Sequence, residues 1–307
     1  MSKAQAIGID IGGTNLRVSL VSRSGEIIRK IKEPSSKDVV NTLFHSIESL
    51  MSDEVAGIGI GVAGLVDSAN GRIFISPNLP VIEGIPIASM INDRFSVPVF
   101  LENDANTAAI GEKWIGAGKD FANFFLFTLG TGIGGGIIHN RKLLGVPAEI
   151  GHMTIEANGE KCPCGNSGCL ESYASARAIL SKAISALEKG RESPLKNCYG
   201  GNFYKLTTED IYRFSLDGDS LARETLRDAG RYLGIGIANI INLMWPEAII
   251  LTGGLAGAWS IYVQEAIKEA SRRAFRELFE TVKIIPSSLI DDAGIIGAAG
   301  LVFEEAE

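Results

Sequence analysis

Two glycine-rich turns that contain threonine, each placed between short hydrophobic runs, constrain the fold of this chain most strongly. The first glycine turn is Gly12-Gly13-Thr14-Asn15, and the second is Gly130-Thr131-Gly132. Strand-like runs flank the first turn at 6–10 and 16–21 and the second at 123–129 and 133–138. Glycine lets backbone N–H groups approach a phosphate closely, and a threonine hydroxyl adds a donor. The repetition favours phosphate-binding turns, although either turn alone is also typical of an ordinary hairpin.

Two acidic residues stand at the ends of strand-like runs. Asp10 comes directly before the first glycine turn, where a carboxylate can hold Mg²⁺ through a water molecule. Asp104 lies in the segment Glu102-Asn103-Asp104-Ala105-Asn106, between a buried-type strand at 98–101 and an alanine-rich helix that reaches Trp114. Carboxylates at strand ends that face a cleft are candidates for catalysis.

Strand and helix signals alternate along the rest of the chain, which predicts layered α/β architecture with mixed sheets at the hairpins. Helices are predicted at 174–189, 208–216, 220–244 and 261–279 and after Asp292, and a strand at 248–252 runs into Gly253-Gly254. Residues 59–64 and 130–135 match the glycine pattern of dinucleotide-binding proteins. Neither match is followed by a helix, so the sequence disfavours a dinucleotide oxidoreductase.

The chain length of 307 residues suits two lobes and a cleft better than one compact unit. We predict a smaller α/β lobe at 1–115 and a larger one at 116–292, with a last helix at about 293–307 that returns to the first lobe. A formal net charge of −7 argues against binding to nucleic acid or an anionic membrane and favours a small-molecule partner.

The first strand-like run begins directly after Met1-Ser2-Lys3, which leaves no room for a signal peptide. The uncharged stretch at 121–140 is long enough to span a bilayer, but its glycine-rich centre favours two strands and a turn. We therefore expect a cytoplasmic protein without a membrane anchor.

Three of the four cysteines lie close together, and a histidine precedes them. The potential ligands are His152, Cys162, Cys164 and Cys169, which make a complete tetrahedral set for zinc. Clustered cysteines in a cytoplasmic protein bind metal more often than they form disulfides, and unrelated thiols are the alternative. A closed set of four ligands predicts a structural ion that fixes a loop. Glu149 and Glu171 lie beside this loop, although spacing alone also fits solvated surface carboxylates.

Taken together, these segments resemble the ROK family (repressors, open reading frames and sugar kinases). The matching pieces occur in the family's order: Asp10-Ile11-Gly12-Gly13-Thr14, Glu102-Asn103-Asp104-Ala105-Asn106, residues 129–136, Glu149-Ile150-Gly151-His152, residues 162–171 and Gly253-Gly254. The cysteine pattern combined with Glu-x-Gly-His is highly specific, and the pieces span nearly the whole chain.

The resemblance implies the actin-like ATPase fold of hexokinases, with two α/β lobes around a central cleft, and a homodimer. It implies structural zinc at His152, Cys162, Cys164 and Cys169, and Asp104 as the catalytic base. The implied sugar contacts are Asn78, Asn103, Asp104, Glu149, His152 and Glu171. The implied contacts to Mg²⁺-ATP are Asp10 (through water), Gly12, Gly13, Thr14, Asn15, Gly130, Thr131, Gly132, Gly253 and Gly254.

The substrate predicted by the resemblance is glucose, because the phosphate turns and the cysteine segment most resemble bacterial ROK glucokinases. Residues 139–148, which precede Glu149, form a loop several residues shorter than the family's usual one. The loop borders the sugar, so N-acetylmannosamine, N-acetylglucosamine and fructose remain alternatives, as do phosphoryl donors other than ATP.

Two rival functions come from other classes. Some ROK members are sugar-sensing repressors, which carry a helix-turn-helix domain before the first glycine turn. Here the motif of that turn begins already at Asp10, and the acidic net charge offers no alternative DNA-binding surface. A zinc-stabilised sugar-binding module without catalysis is the other rival. It would not require Asp10, Thr14, Asp104 and Thr131 together, so both rivals are disfavoured.

Overall fold

A computed structural model describes residues 4–35, 38–77 and 79–304, with the following strands and helices numbered in chain order. The strands are β1 Gln5–Ile11, β2 Asn15–Ser22, β3 Ile27–Pro34, β4 Val55–Val62, β5 Leu65–Asp67, β6 Arg72–Ile75, β7 Val99–Asn103, β8 Phe124–Leu129, β9 Ile133–His139, β10 Lys142–Leu143, β11 Ala248–Thr252 and β12 Lys283–Pro286. The helices are α1 Val39–Glu48, α2 Ile87–Phe95, α3 Asp104–Trp114, α4 Glu171–Ala174, α5 Ala176–Glu188, α6 Thr208–Leu216, α7 Ser220–Met244, α8 Gln264–Arg273, α9 Arg276–Phe279 and α10 Ala293–Glu304.

The chain divides into two compact units. The first unit contains the described residues of Met1–Leu126, Gly136–Ala148 and Ser287–Glu307, and the second contains Phe127–Gly135 and Glu149–Pro286. None of the helices in the described part of the chain is long and apolar enough to cross a membrane.

Two five-stranded sheets share one strand order, which explains the repeated glycine turns. The first sheet has the order β3-β2-β1-β4-β7, and the second has the order β10-β9-β8-β11-β12. In the first sheet β1, β2 and β3 are antiparallel neighbours, whereas β4 and β7 continue in parallel with β1. Each glycine turn therefore joins the first two strands of its series. In the first sheet, the parallel strand β4 lies on the other side of β1, the strand that leads into the turn.

The core of the first unit is aliphatic and extends over both faces of its sheet. Strands β1 and β4 are buried along almost their whole length, as expected for central parallel strands. On one face, Val302 and Phe303 of α10 pack in a buried cluster with Ala6 and Val21. The larger cluster contains isoleucines and valines of β1, β2 and β4 together with apolar residues of α1 and α2.

Most predicted elements occur within two residues of their expected bounds, and two differ. The helix predicted at 261–279 is interrupted, because Ala274 is extended and the Phe275 N–H donates to Asn242 Oδ1 at 2.9 Å rather than to the preceding turn. The helix predicted from about 174 begins with the short α4 and restarts at Ala176, where the Ser175 side chain accepts the Ala178 N–H.

A fully buried carboxylate, Glu112 of α3, organises the segment that leads into α10. Its oxygens accept hydrogen bonds from the N–H groups of Ala117 at 2.6 Å and Leu289 at 3.2 Å and from the Ser287 hydroxyl. Ala117 lies just beyond the end of the same helix, whereas Ser287 and Leu289 are more than 170 positions away in the sequence. Glu112 therefore ties the C-terminal segment to the first unit.

We predict that Glu112→Gln lowers the free energy of unfolding by about 1–3 kcal/mol. The NH₂ group of glutamine would face N–H and O–H donors that now donate to the carboxylate oxygens of Glu112. Urea unfolding of the two proteins measures the difference. Glu48→Gln is the matched control, since the Glu48 side chain is 61% exposed and its ion pair with Arg94 lies at the surface. Equal stability of the Glu112 variant and the parent would contradict this role.

Candidate functional site

The first glycine turn is a tight connection between β1 and β2 in the first unit. The Gly12 N–H donates to the Asn15 carbonyl at 3.0 Å, and Ile11 pairs with Leu16 across the turn. Ser35, the residue after β3, fixes this turn through two hydrogen bonds. Its hydroxyl donates to the Gly12 carbonyl at 2.6 Å, and its N–H donates to the Thr14 carbonyl at 2.9 Å. Gly13 and Thr14 are exposed, which leaves their donors free to face a ligand.

Asp10 is buried at the end of β1 and pairs with Arg17 of β2. Burial raises the pKa of Asp10, while the charge and hydrogen bond of the Arg17 guanidinium act in the opposite direction. Arg17 contacts Oδ2 and also donates to the Asp291 carbonyl at 2.7 Å. Oδ1 is then the oxygen suited to receive a water molecule of hydrated Mg²⁺, so the donor set fits the predicted ion.

Asp104 and Asn103 lie at the N-terminus of α3. The Asn103 side-chain oxygen caps the helix by accepting the N–H groups of Ala105 and Asn106, and its amide donates to the Gly64 carbonyl at 2.9 Å. Asn103 therefore has one N–H left for a ligand. The half-buried Asp104 is the first residue of the helix, and its Oδ1 accepts the Ala105 N–H at 2.9 Å.

Glu102 and Asn106 support the junction of β7 and α3, and neither was predicted from the sequence to have a role. Glu102 is buried and accepts from the Asn103 N–H at 2.7 Å, the Asn106 side chain at 3.0 Å and the Ser68 hydroxyl at 3.0 Å. The Asn106 amide also contacts the Val146 carbonyl at 3.4 Å, in the shortened loop. The only sequence signal for this network was the polar character of a segment that follows a buried strand.

In the second unit, the second glycine turn and Gly253 lie at the ends of neighbouring strands. Gly253 follows β11 with φ +90°, and a Cβ on it would lie 2.5 Å from the Leu129 carbonyl oxygen at the end of β8. Only glycine allows this approach. Thr131 is exposed and borders an open groove of about 700 Å³ along one face of α5. Its volume is within the range usual for small-molecule sites.

Glu171 contacts the second glycine turn directly. Its Oε2 accepts the Ile133 N–H at 2.9 Å, and its Oε1 accepts from Arg177 Nη2 at 2.9 Å. The side chain is 13% exposed. Each carboxylate oxygen can accept a further hydrogen bond, so Glu171 has capacity for a sugar hydroxyl as well.

The four predicted zinc ligands come together in the second unit. One ligand atom from each of His152, Cys162, Cys164 and Cys169 lies within 4.8 Å of all the others. Cys164 Sγ and Cys169 Sγ are 3.7 Å apart, and His152 Nδ1 is 3.7 Å from Cys162 Sγ. Sulfur atoms about 2.3 Å from one tetrahedral ion are separated by about 3.8 Å, so the set fits zinc.

The environment of the thiols also suits a cation. Burial, together with the hydrogen bonds and charges of Cys162 and Cys164, raises the pKa of Cys169 to about 12. Three adjacent thiolates repel one another, and a divalent cation removes that repulsion. His152 Nε2 lies 3.8 Å from Glu149 Oε2, so the ring nitrogen that does not face the sulfur atoms faces a carboxylate. Cys198 lies outside the cluster.

The geometry assembles most predicted residues into local groups within each unit. The first unit presents the first glycine turn, Asp10, Asn103 and Asp104, and the second presents the second glycine turn, Gly253, the zinc ligands and Glu171. Asn78 lies outside the described residues. Arg17, Ser35 and Arg177 join these groups through contacts that no sequence motif indicated.

Comparison with known proteins matches residues 6–305 to the ROK family. The chain belongs to the ROK family. A glucokinase from Thermotoga maritima is 35% identical, with 99% of each chain covered. A glucokinase structure from Streptomyces griseus, in complex with glucose and AMPPNP, is similar at a TM-score of 0.84 and 32% identity, over 98% of this chain and 99% of that one.

A ROK regulator is also similar in structure. It is described as a transcriptional regulator homologous to the MLC protein of E. coli, with a TM-score of 0.89 and 29% identity, and the match covers 97% of this chain but 78% of the regulator. This ROK protein therefore has the hexokinase-type, actin-like fold predicted from its motifs, and the fold itself occurs in both kinases and regulators.

The glycine of the ROK motif Glu149-Ile150-Gly151-His152 packs against the second glycine turn. A Cβ on Gly151 would lie 2.1 Å from the Ile133 carbonyl oxygen, and the Ile133 N–H is the group bound by Glu171. Gly151 and Glu171, which lie next to the predicted zinc ligands His152 and Cys169, therefore both contact Ile133 at the second glycine turn.

We expect Gly151→Ala to lower the free energy of unfolding of this ROK protein by about 1–3 kcal/mol, because the methyl group must displace the Ile133 backbone. Denaturant unfolding measures this loss. Gly257→Ala is the control, since a Cβ there meets no heavy atom within 4 Å. The close packing would be disproved by a Gly151 variant as stable as the Gly257 variant.

Proposed function

We propose that this ROK protein is an ATP-dependent sugar kinase that phosphorylates a hexose hydroxyl, with glucose as the substrate and glucose 6-phosphate as the product. The observation that carries the proposal is the position of Asp104. A carboxylate at the N-terminus of α3, beside a helix cap that fixes its backbone, is placed to accept a hydroxyl proton. The similarity to glucokinases at 32–35% identity supports the choice of glucose.

In the proposed mechanism, Asp104 accepts the proton of the attacking sugar hydroxyl while that oxygen attacks the γ-phosphorus of ATP. The proposed sugar contacts are Asn103, Asp104, Glu149, His152 and Glu171. Carboxylates suit this role because each can accept hydrogen bonds from two neighbouring hydroxyls. Asn78 stays a predicted sugar contact.

The glycine turns bind the phosphates through backbone N–H groups and threonine hydroxyls. The proposed phosphate contacts are Gly12, Gly13, Thr14, Asn15, Gly130, Thr131, Gly132, Gly253 and Gly254. Asp10 would hold Mg²⁺ through water, and the ion would supply charge neutralisation on the phosphates. Donors fixed before the reaction stabilise the charge that develops during transfer.

Zinc at His152, Cys162, Cys164 and Cys169 has a structural role in this proposal. Four protein ligands leave no open position for a water nucleophile. The ion fixes the loop so that Glu149 and Glu171 keep their places. The lobe boundaries at 1–115 and 116–292, the homodimer and the cytoplasmic location stay predictions.

The test is ADP release from Mg²⁺-ATP in a coupled assay, with glucose, N-acetylmannosamine, N-acetylglucosamine, fructose and mannose presented separately. We expect the highest kcat/KM with glucose. A preference for an N-acetyl sugar would retain the kinase and reject glucose, and we would attribute it to the short loop before Glu149.

A sugar-sensing regulator is the second candidate function, because the structure of a ROK transcriptional regulator is similar over 97% of this chain. A sensor needs to bind the sugar but not to transfer phosphate. Sugar binding without ADP release, in zinc-loaded protein and with all five sugars, would favour the sensor over the kinase.

A further inference from the structure

Arg177, Glu171 and the second glycine turn form a continuous chain of polar contacts inside the second unit. Arg177 Nη2 donates to Glu171 Oε1, and Glu171 Oε2 accepts the Ile133 N–H, both at 2.9 Å. The two carboxylate oxygens therefore have different partners. One holds a guanidinium on α5, and the other holds the backbone next to Gly132.

Arg177 also borders the groove beside the second glycine turn. The groove is lined by Thr131 and by one face of α5 that includes Arg177, Leu180 and Ile184. The Arg177 side chain is about half exposed, whereas Glu171 is mostly buried. The guanidinium thus lies between the Glu171 carboxylate and a groove that adjoins the second glycine turn.

We propose that Arg177 is a positioning residue that makes sugar binding and nucleotide binding depend on each other. The inference rests on the proposed function, in which Glu171 contacts the sugar and the turn at 130–132 contacts ATP. A sugar hydroxyl on Glu171 stabilises the carboxylate orientation that also holds the Ile133 N–H. Because Arg177 holds Oε1, the carboxylate cannot turn toward the sugar by giving up the Ile133 N–H; without Arg177 it can, and sugar binding then no longer orders the turn.

Coupling of this kind is reciprocal. If the sugar raises nucleotide affinity by some factor, the nucleotide raises sugar affinity by the same factor. We expect a factor of about 5–10 in the parent protein, at the lower end of the range usual for coupled sites.

Titration calorimetry tests the coupling without relying on turnover. The dissociation constant of Mg²⁺-AMPPNP is measured for the zinc-loaded full chain, with and without saturating glucose, or with the sugar of highest turnover if glucose is inactive. The parent protein is expected to bind AMPPNP about 5–10-fold more tightly with sugar. In Arg177→Met the ratio falls to near 1, and Arg177→Lys restores part of it.

Arg191→Met is the matched control. Arg191 pairs with Glu224 at 3.0 Å in the same unit, and its side chain is 49% exposed against 51% for Arg177. The control is expected to keep the parent ratio. Hydrogen exchange of the peptide containing Ile133 is a second readout, and it is expected to be faster in Arg177→Met than in Arg191→Met.

The outcomes separate this inference from the proposed function. A parent ratio near 1, or a parent-like ratio in Arg177→Met, would overturn the role of Arg177 while leaving a protein that turns over sugar as a kinase. Failure of the parent to bind AMPPNP or any of the five sugars would overturn both.

Discussion

Asp104→Asn is expected to reduce kcat by about 10²–10⁴-fold while the fold, and binding of sugar and ATP, persist. Asparagine keeps the shape of the side chain but cannot accept the hydroxyl proton. Its Oδ1 can still accept the Ala105 N–H, which Asp104 accepts at 2.9 Å, so the start of α3 is preserved. Steady-state kinetics with glucose, together with calorimetric binding of glucose, separate the loss of chemistry from a loss of binding.

Removing a charge from the first turn of a helix changes the stability of that helix slightly, so the Asp104→Asn experiment needs a matched control. Glu209→Gln removes an exposed carboxylate from the first turn of α6, where helix-dipole effects are about 0.3–1 kcal/mol. This control should retain the parent kcat. Near-normal turnover in Asp104→Asn would remove Asp104 from the role of base.

The Cys169→Ser variant is expected to lose zinc. Its rate of sugar turnover is then expected to fall by more than about 100-fold. Cys169 is fully buried and lies two residues before Glu171, which holds the second glycine turn. Without the ion, the loop at 152–169 loses the cross-link among its four ligands, and Glu149 and Glu171 lose their fixed positions. Metal analysis should find one zinc per chain in the parent and none in the variant.

Cys198→Ser provides the control, because Cys198 is the one cysteine outside the cluster of ligands. It should keep both zinc and activity. Limited proteolysis should cleave the 152–169 segment faster in Cys169→Ser than in Cys198→Ser. Fully active parent protein that contains no zinc would refute the structural role of the metal.

Local chemistry made much of this molecule predictable from its sequence. The cluster of His152 and three cysteines could be predicted because its members lie within 18 positions and few side chains bind zinc. The bounds of α6, α7 and β11 followed from hydrophobic periodicity and from caps such as Asp219, whose side chain accepts the Ala222 N–H.

Long-range contacts account for what the sequence did not reveal. Glu112 appears as one carboxylate in an alanine-rich helix, and its partners in the 287–289 segment lie about 175 positions away. The break after α8 depends on Asn242, 33 positions before Phe275. The pairing of Glu171 with the Ile133 N–H joins residues 38 positions apart, and no periodic pattern encodes such a contact.

The most direct test of the central claim is detection of the product by ³¹P NMR. Zinc-loaded protein is incubated with Mg²⁺-ATP and each of the five sugars, and the spectra are followed over time. We expect a hexose phosphate that accumulates in equal amount with ADP, fastest with glucose, and that forms about 10²–10⁴-fold more slowly with Asp104→Asn. Sugar binding without any sugar phosphate would contradict the kinase, and equal product formation by the parent and Asp104→Asn would contradict its mechanism.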